Sequence, residues 1–451
     1  MPRIIRVALV SVRDLTLTAG PFILIALALL IAAYIVLDPT PPRRVVLATG
    51  PELSAYDKFG EMYKAELKRH GIEVELRRTL GSLENRRLLR NSKENVDIAF
   101  VQGGSSDAQQ QQGNDNDKKK AQMEDLVSLG TVFFDPVWIF YRADSAQKLN
   151  KQATLTAIAQ LRGLRVNVGI RGSGTPGIMN KILTANAVER DELKRSFMDE
   201  TSAVVSLLEG NLDAAMLVSA AESPMVQMLL QTPGIKLYEY PQAESYARRY
   251  TFLTPVLLPR GVADLARDVP QKDMTLVATT TSLLARDDVH PALVQLFVQA
   301  ASRIHSAPNW TARAGFFPNA QHSEFDLAKD AARYYQSGPP FLQRYLPFWL
   351  ANLIDRMWVA LFSIVAVLIP LSRLVPPLYE FRIRSRIFRW YRNLRQIEDD
   401  HANREKTPQE LLGALEKLEA RVAAIHVPLS YTDEVYQLRG HIALVRERLN
   451  K

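Results

Sequence analysis

The residues best suited to chemistry in this sequence form a strand-to-helix junction. Residues 165–169 alternate in polarity as a strand does, and apolar residues recur at helical spacing over 178–188. A glycine-rich turn joins them and leads into Thr175 and Pro176, which have the residue types of a helix N-cap and a first helical residue. Such a junction directs backbone N–H groups and the positive end of a helix dipole to one point, so we expect a small anion to bind there. The residues expected at this point are Gly172, Ser173, Gly174 and Thr175.

Two other interpretations of the junction remain open. Gly172, Gly174 and Gly177 fit the G-x-G-x-x-G fingerprint, and Asp199 follows at about the distance of a ribose-binding acid, which would indicate a nucleotide enzyme. A lone fingerprint is a weak signal, and residues 193–198 make a poor second strand. The third interpretation is a tight turn that binds nothing.

Catalysis has little support elsewhere in the chain. The seven histidines show no metal-ligand spacing, and no nucleophile elbow surrounds Ser173. The absence of cysteine excludes disulfides, thiol nucleophiles and cysteine-bound zinc. We therefore expect no enzymatic activity, no cofactor and no metal.

Length and charge indicate several domains with basic ends. A chain of 451 residues can hold two or three domains. Of the net charge of +8, much lies at the ends, with three arginines and one aspartate in residues 1–37 and a basic excess in residues 373–451. The rest is nearly balanced, so we expect no nucleic-acid partner.

Two apolar segments are predicted to cross a membrane. Residues 19–37 contain no charged or amide side chain and are long enough for a hydrocarbon core of about 30 Å. A cleaved signal peptide is the alternative, but residues 38–42 offer no small-x-small cleavage site. The second segment is residues 357–375, with the Arg373 side chain extending towards the headgroups. Trp349 and Trp358 fit an interfacial belt.

Arginine predicts the orientation of these segments. A dense cluster follows the second one and belongs on the cytoplasmic side, as do the arginines of residues 1–18. Residues 38–348 then lie outside, and residues 376–451 inside. We expect the cluster, which is interleaved with aromatic residues, to contact anionic lipid. It comprises Arg373, Arg382, Arg384, Arg386, Arg389, Arg392 and Arg395.

The outer region has the pattern of an α/β fold. Strand and helix patterns alternate as βαβ units, which predicts parallel sheet covered by helices and a two-lobed clamp with its ligand in the cleft. Residues 126–132 and 137–141 are predicted as two strands, and 293–304 and 325–335 as helices that pack on the first lobe. The Gln-, Asn- and Lys-rich residues 105–120 are predicted to be a disordered insertion. The predicted boundaries are 43–141 with 251–345 for lobe I, and 142–250 for lobe II.

Four motifs of this region stand in the order found in a transporter family. They are Gly81-Ser82-Leu83-Glu84-Asn85, Val96-Asp97-Ile98-Ala99-Phe100-Val101-Gln102, Gly172-Ser173-Gly174-Thr175, and Leu208-Glu209-Gly210-Asn211-Leu212-Asp213. The chain resembles, over roughly residues 45–330, the TAXI-type solute receptors of tripartite ATP-independent periplasmic (TRAP) transporters. The resemblance implies a periplasmic-binding-protein-like clamp that captures a small organic acid or amino acid and delivers it to a membrane permease. It also implies a periplasmic main domain. Members of that family are usually cleaved and soluble, or lipid-anchored, whereas the two apolar segments of this chain predict a bacterial inner-membrane protein tethered at both ends.

The resemblance further implies which residues line the cleft. The junction residues above belong to it. Glu52 departs from the family's usual glycine-rich first loop and would repel a carboxylate unless it faces away or pairs with a ligand amine. The remaining cleft residues that the resemblance implies are Thr49, Tyr56, Ser82, Asn85 and Gln102.

The inner tail is predicted to be helical. Thr407 and Glu410 have the spacing of a capping box around Pro408. Two apolar stripes, over 411–425 and 435–449, are each too short for a free-standing coiled coil, so we expect an antiparallel helical hairpin or a partner-binding module. Capture and delivery need no such tail, and an alternative function is therefore a ligand sensor or scaffold that signals through it.

Overall fold

The computed structural model describes residues 3–37, 40–105, 126–151, 153–321, 323–424 and 431–450. The chain forms two compact units, Thr40–Ala351 and the combination of Met1–Pro39 with Asn352–Lys451. All but the first residue of the predicted disordered insertion, residues 105–120, lies outside the described residues.

The unit Thr40–Ala351 is built on a mixed β-sheet. Its strand order is β2-β1-β3-β10-β4-β7-β5-β6, with β8 paired to β4 and β9 paired to β10. Strand β1 is parallel to β2 and β3, and β5 is parallel to β6 and β7, whereas β4 and β10 are antiparallel to their neighbours. The strands are β1 Arg44–Ala48, β2 Glu73–Arg77, β3 Ile98–Gln102, β4 Leu126–Arg142, β5 Arg165–Asn167, β6 Lys194–Ser196, β7 Ala214–Val218, β8 Ile235–Leu237, β9 Thr254–Leu258 and β10 Met274–Arg286.

Helices cover the sheet, as expected for parallel strands joined by crossovers. The fold is therefore a mixed α/β fold. The helices are α2 Ala55–Lys68, α3 Ser82–Arg90, α4 Ala143–Asn150, α5 Thr175–Ala185, α6 Glu200–Leu208, α7 Pro224–Gln231, α8 Ala243–Arg249, α9 Pro291–His305 and α10 Lys329–Ser337, with short 3-10 turns at Ser92–Glu94, Ile158–Leu161 and Phe341–Arg344.

Two long strands connect the two lobes of this unit. Strand β4 runs unbroken through Asp135 and Pro136, and its residues Leu126–Pro136 pair with Ala278–Arg286 of β10. The prediction of two strands at 126–132 and 137–141 was wrong in separating them, and β10 was not predicted. Both strands are buried on both faces, so neither shows the alternation by which a half-exposed strand is recognised.

Each lobe has its own apolar core. We use the name lobe I for β1 to β3, α2, α3, α9, α10 and the first half of β4, and lobe II for β5 to β9, α4 to α8 and the second half, with β10 contributing to both cores. This grouping places β9 outside the predicted lobe I range 251–345, and the lobe boundaries stay a prediction. The prediction that the helices near residues 300 and 330 pack on the first lobe is confirmed, because Phe297 and Ala331 belong to its core. The largest members of that core are Phe59, Tyr63, Phe100, Phe133 and Phe297, and those of lobe II include Trp138, Phe140, Ile178, Ile182 and Met216.

The second unit contains two long apolar helices. These are α1, Arg3–Leu37, and α11, Phe348–Ser372. By length and composition, Thr18–Leu37 and a window within Phe348–Ala402 qualify to cross a membrane. Arg356 Nη1 donates to the Leu37 carbonyl at 3.4 Å, so the end of α1 lies beside the start of α11.

The tail forms three helices instead of the predicted hairpin alone. They are α12 Val375–Ala402, α13 Pro408–Ala423 and α14 Thr432–Leu449. The capping box at Thr407 and Glu410 is confirmed, and both predicted stripes are buried, except that Ile425 lies outside the described residues. Helix α12 completes the core because its own apolar face packs on both stripes. That face consists of Ile383, Ile387, Leu394 and Ile397.

Candidate functional site

A cavity of about 80 Å³ lies between the two lobes. A site that holds one water needs roughly 10–15 Å³ on the same scale, so this cavity has the size of a small organic molecule. Helices α2, α3, α5, α6 and α7 all begin at or near its wall. Of the residues implied by sequence, those that line it are Tyr56, Ser82, Gln102, Ser173, Gly174 and Thr175.

The wall from lobe I contains the start of α3. Gly81 is the N-cap residue with φ of +125°, and no side chain caps the helix. The Ser82 hydroxyl accepts from Gln102 N at 2.8 Å and bonds Ser105 Oγ at 3.0 Å, so it is already engaged within the protein. The backbone N–H of Ser82 lies in the first turn, where no acceptor exists inside the helix. The anion-binding capacity here belongs to the backbone.

The wall from lobe II contains the start of α5. The predicted junction is present, but the helix begins one residue earlier than expected, with Gly174 as N-cap and Thr175 as first residue. No side chain caps this helix and no acidic residue lies in its first turn. Ser173 Oγ donates to the Ile170 carbonyl at 2.8 Å, so Ser173 stabilises the turn. The N–H groups of Gly174 and Thr175 are left without an acceptor inside the helix.

Three of the implied residues do not line the cavity. Asn85 is fully buried, and its Nδ2 donates to the carbonyls of Thr49 at 2.7 Å and Phe100 at 2.9 Å. Asn85 and Thr49 thus join α3 to β1 and β3. Gly172 lies at the contact between the lobes, where its carbonyl accepts from Glu84 N at 3.1 Å. A ligand role for any of the nine residues stays a prediction.

Sequence reasoning missed the acidic side of the cavity. Glu200 is the first residue of α6, lines the cavity, and accepts from Ser223 Oγ at 3.2 Å. Burial raises the pKa of the Glu200 carboxyl to about 7, against the lowering effect of the Ser219 and Ser223 hydroxyls, and the nearby charge of Asp199 adds to the rise. The acidic pair at the beginning of a helix was the available signal, since such residues favour helix N-termini.

Asp199 is committed to capping α6. Its carboxylate accepts from Ser202 N at 3.0 Å and from Ser202 Oγ at 2.7 Å. The strand before it, β6, does exist, so the objection that residues 193–198 make a poor strand was wrong. The hydrogen bonds to Ser202 nevertheless occupy the carboxylate that the nucleotide interpretation assigned to a ribose.

A second acid lies behind the lobe I wall. Asp135 on β4 is fully buried, and its Oδ2 accepts from the Thr281 hydroxyl, from Gln102 Nε2 at 3.2 Å and from Tyr56 OH at 3.3 Å. Burial raises its pKa to about 7, although these hydrogen bonds oppose the rise, and the charge of Glu200 raises it further. Tyr56 and Gln102 therefore connect the cavity wall to a buried carboxyl group.

Glu52 lies beside an arginine at the edge of the cavity. Arg78 Nη1 lies 3.4 Å from Glu52 Oε1, and Arg78 Nε donates to Asp57 at 2.9 Å, so one guanidinium is shared by two carboxylates. Among the described residues that line the cavity there is no lysine, arginine or histidine. A ligand anion would be held by peptide dipoles rather than by a basic side chain.

A model of the NMT1-like family matches residues 48–337. Among solved structures, MatC from Rhodopseudomonas palustris with bound malate is 14% identical, and the alignment covers 72% of this chain and 99% of that chain with a TM-score of 0.39. The periplasmic aliphatic sulphonate binding protein SsuA from Escherichia coli is 13% identical, with 72% and 83% covered and a TM-score of 0.35. A protein from Bordetella bronchiseptica is 16% identical, with 58% and 70% covered and a TM-score of 0.39. Likenesses this low carry no information about the ligand.

Proposed function

The chain belongs to the NMT1-like family of solute-binding proteins, and we propose that it is a membrane-anchored receptor that closes around an amino acid and presents it to a permease. The proposed subtype is the TAXI-type receptor of a TRAP transporter, supported by the four motifs between Gly81 and Asp213. The observation that carries the ligand assignment is the cavity, which has open helix starts on one side and an acidic helix start on the other.

The open helix starts suit a carboxylate. Helices α3 and α5 belong to different lobes, and neither has a side-chain cap. The N–H groups of Ser82, Gly174 and Thr175 and the two helix dipoles favour an anion between them. Glu84, the acidic residue in the first turn of α3, accepts from Leu80 N at 2.7 Å. A carboxylate that bridges the two would also hold the lobes together.

The acidic start of α6 suits an ammonium group. Glu200 lies on the cavity wall and has no basic partner among the described lining residues. An amino acid would bring a cation to this carboxylate, whereas a dicarboxylate would bring a second anion. Within the predicted range of organic acids, the charges therefore favour an amino acid.

Closure of the two lobes around the cavity would capture the ligand. The contact between Glu84 N and the Gly172 carbonyl joins the two lobes beside the cavity. A Cβ at Gly81 would lie only 3.2 Å from Ser173 Cβ, so the two loops approach closely in this closed arrangement. Strands β4 and β10, which connect the lobes, are the proposed hinge, and their bending would open the cavity.

The membrane anchors are part of the proposal. Helices α1 and α11 are long and apolar enough to span a bilayer. If each crosses it once, both chain termini lie on one side, and the contact between Arg356 and Leu37 is consistent with this. The arginines after α11 favour the cytoplasm for that side. The unit Thr40–Ala351 would then face the periplasm of a bacterial inner membrane.

Binding is tested by isothermal titration calorimetry on the full chain in nanodiscs. The titrants are amino acids, the carboxylic acids that lack the amino group, dicarboxylates and simple amines. We expect the tightest binding from an amino acid and weaker binding from either partial analogue. If every carboxylate fails to bind while simple amines bind, the proposed carboxylate site is wrong.

A second candidate function is a sensor that signals through the tail. The observation that favours it is the separate core formed by α12, α13 and α14. Deletion of residues 403–451 distinguishes the two functions. Uptake that persists after the deletion supports transport, whereas a lost cellular response with unchanged uptake supports sensing.

A further inference from the structure

We propose that α12 lies along the cytoplasmic surface of the bilayer and binds anionic lipid headgroups through a face that the three-helix core leaves uncovered. This inference rests on the proposed insertion of α11. The face, here called the outer stripe, follows spacings of three and four residues along one side of the helix. The outer stripe consists of Leu378, Phe381, Ser385, Phe388 and Arg392.

The outer stripe is distinct from the face of α12 that packs on α13 and α14. The side chain of Phe381 is 72% exposed and that of Phe388 is 59% exposed. By contrast, Ile383 and Ile387 are fully buried in the three-helix core. Helix α12 is thus apolar on two faces, of which one packs in the three-helix core and the other is exposed.

Arginines flank the outer stripe. Within the part of the chain that the structure describes, Arg384 pairs with Glu434 at 3.0 Å, whereas Arg382, Arg389 and Arg392 make no ion pair. Exposed phenylalanines next to unpaired arginines are the composition of helices that lie in a membrane interface, where the rings enter the acyl boundary and the guanidinium groups contact phosphate.

Continuity with α11 favours a bilayer as the occupant. Helix α11 has 25 residues, about 37 Å of helix, which exceeds a hydrocarbon core of about 30 Å. Only Arg373 and Leu374 separate it from α12, so α12 would begin at headgroup level. Its exposed apolar surface continues from α11, where Phe362 and Ile369 are exposed, into the outer stripe.

A second copy of the chain fits the outer stripe less well. Packing two such stripes together would bring the unpaired arginines of both copies against one another, and like charges at close range repel. An anionic bilayer offers the opposite charge over the whole length of the helix. We therefore assign the outer stripe to lipid.

The experiment uses single cysteines, which the cysteine-free chain permits. Full-length Ser385→Cys, in the outer stripe, and Lys417→Cys, at an exposed position of α13, are labelled with a nitrobenzoxadiazole dye. Each is placed in nanodiscs of phosphatidylcholine or of an equimolar mixture with phosphatidylglycerol. Quenching by doxyl-labelled lipid should be about twofold or more stronger at position 385 than at 417. The difference should be largest in the anionic discs.

Several outcomes would overturn the inference. Equal quenching at positions 385 and 417 in both disc types would show that the outer stripe faces water. A blue-shifted dye at 385 without lipid quenching would show that protein covers the stripe, as in a second copy. A labelled Val365→Cys on α11 distinguishes insertion of α11 from lipid contact by the outer stripe. Quenching at 365 without quenching at 385 refutes this inference alone, whereas no quenching at 365 refutes the proposed anchor.

Charge variants test the role of the arginines. The double variant Arg389→Gln with Arg392→Gln should remove most of the difference between neutral and anionic discs. The matched control is Lys417→Gln with Arg421→Gln, which removes the same charge from exposed positions of α13. If the control removes the difference equally, net charge rather than the outer stripe attracts the lipid, and the inference fails.

Discussion

Helices α5 and α6 of lobe II begin at the same cavity but differ in what their first residues do with the helix dipole. The start of α5 has no side-chain cap and no acidic residue. The start of α6 has Asp199 as its cap and Glu200 as its first residue. The peptide dipole is the same in both, so the side chains alone make one start suitable for an anion and the other suitable for a cation. The two starts also differ in backbone, because Gly174 has helical dihedral angles whereas Asp199 is extended.

The largest effect is expected when an acidic residue is added at the uncapped start of α5. Ser173→Asp places a negative charge beside the N–H groups of Gly174 and Thr175, and it should weaken amino acid binding by about 100-fold or more. The isosteric but uncharged Ser173→Asn is the control and should bind within about tenfold of wild type. Calorimetry on both variants checks the result, and equal affinities for the two would place the ligand carboxylate elsewhere.

The converse change removes the charge from the acidic start. Glu200→Gln should weaken amino acid binding by about tenfold, because a hydrogen bond to a charged group contributes about 1.5–3 kcal/mol. Binding of the same carboxylic acid without its amino group should be unchanged or improved. Titration of both ligands on both proteins measures the effect. A loss that is equal for the two ligands would contradict an ammonium contact.

Ligand binding should depend on pH because of Glu200. Its pKa of about 7 in the ligand-free protein means that it gains a proton as the pH falls through neutrality. Because an ammonium ligand favours the ionised carboxylate, affinity should fall by about threefold or more as the pH falls from about 8 to 6, and binding should release protons near pH 7. Glu200→Gln should flatten this dependence. A pH profile identical in the variant would exclude Glu200 as the titrating group.

The smallest expected effect concerns the cap itself. Asp199→Ala removes the acceptor of the Ser202 hydrogen bonds and should lower the free energy of unfolding by about 1 kcal/mol. Asp199→Asn retains an acceptor and should cost less. Denaturant unfolding of the three proteins measures the difference. If Asp199→Ala instead abolishes ligand binding without a change in stability, Asp199 contacts the ligand and the division of roles within α6 is wrong.

Sequence patterns correctly predicted the elements whose structure depends on neighbouring residues in the chain. The strand, turn and helix near residue 170 form from the sequence around them, because glycine permits the turn and Pro176 favours the first turn of a helix. The capping box at Thr407 and the buried stripe of α13 follow from the same kind of signal. The helix start of α5 differs by a single residue, which is within the variation of helix ends.

Elements buried on both faces escaped prediction. Strand β10 runs Met274–Arg286 with nearly every residue buried, so its apolar and threonine side chains show no alternation. Asp135 and Pro136 resemble a chain break in sequence, yet they lie inside β4, where the neighbouring strand β10 supplies the pairing. The hinge of the clamp was therefore invisible to pattern analysis.

The sequence by itself determined the half-exposed strands and helices, the apolar segments and the open helix start at Gly174, because these depend on neighbours within a few residues. Only the tertiary structure decided what faces that start. Glu200 is distant in sequence from Tyr56 and Gln102, and the packing of two lobes brings all three to one cavity. Burial there also raised the pKa of Glu200 and Asp135. The desolvation responsible arises from atoms remote in the chain, so no local pattern records it.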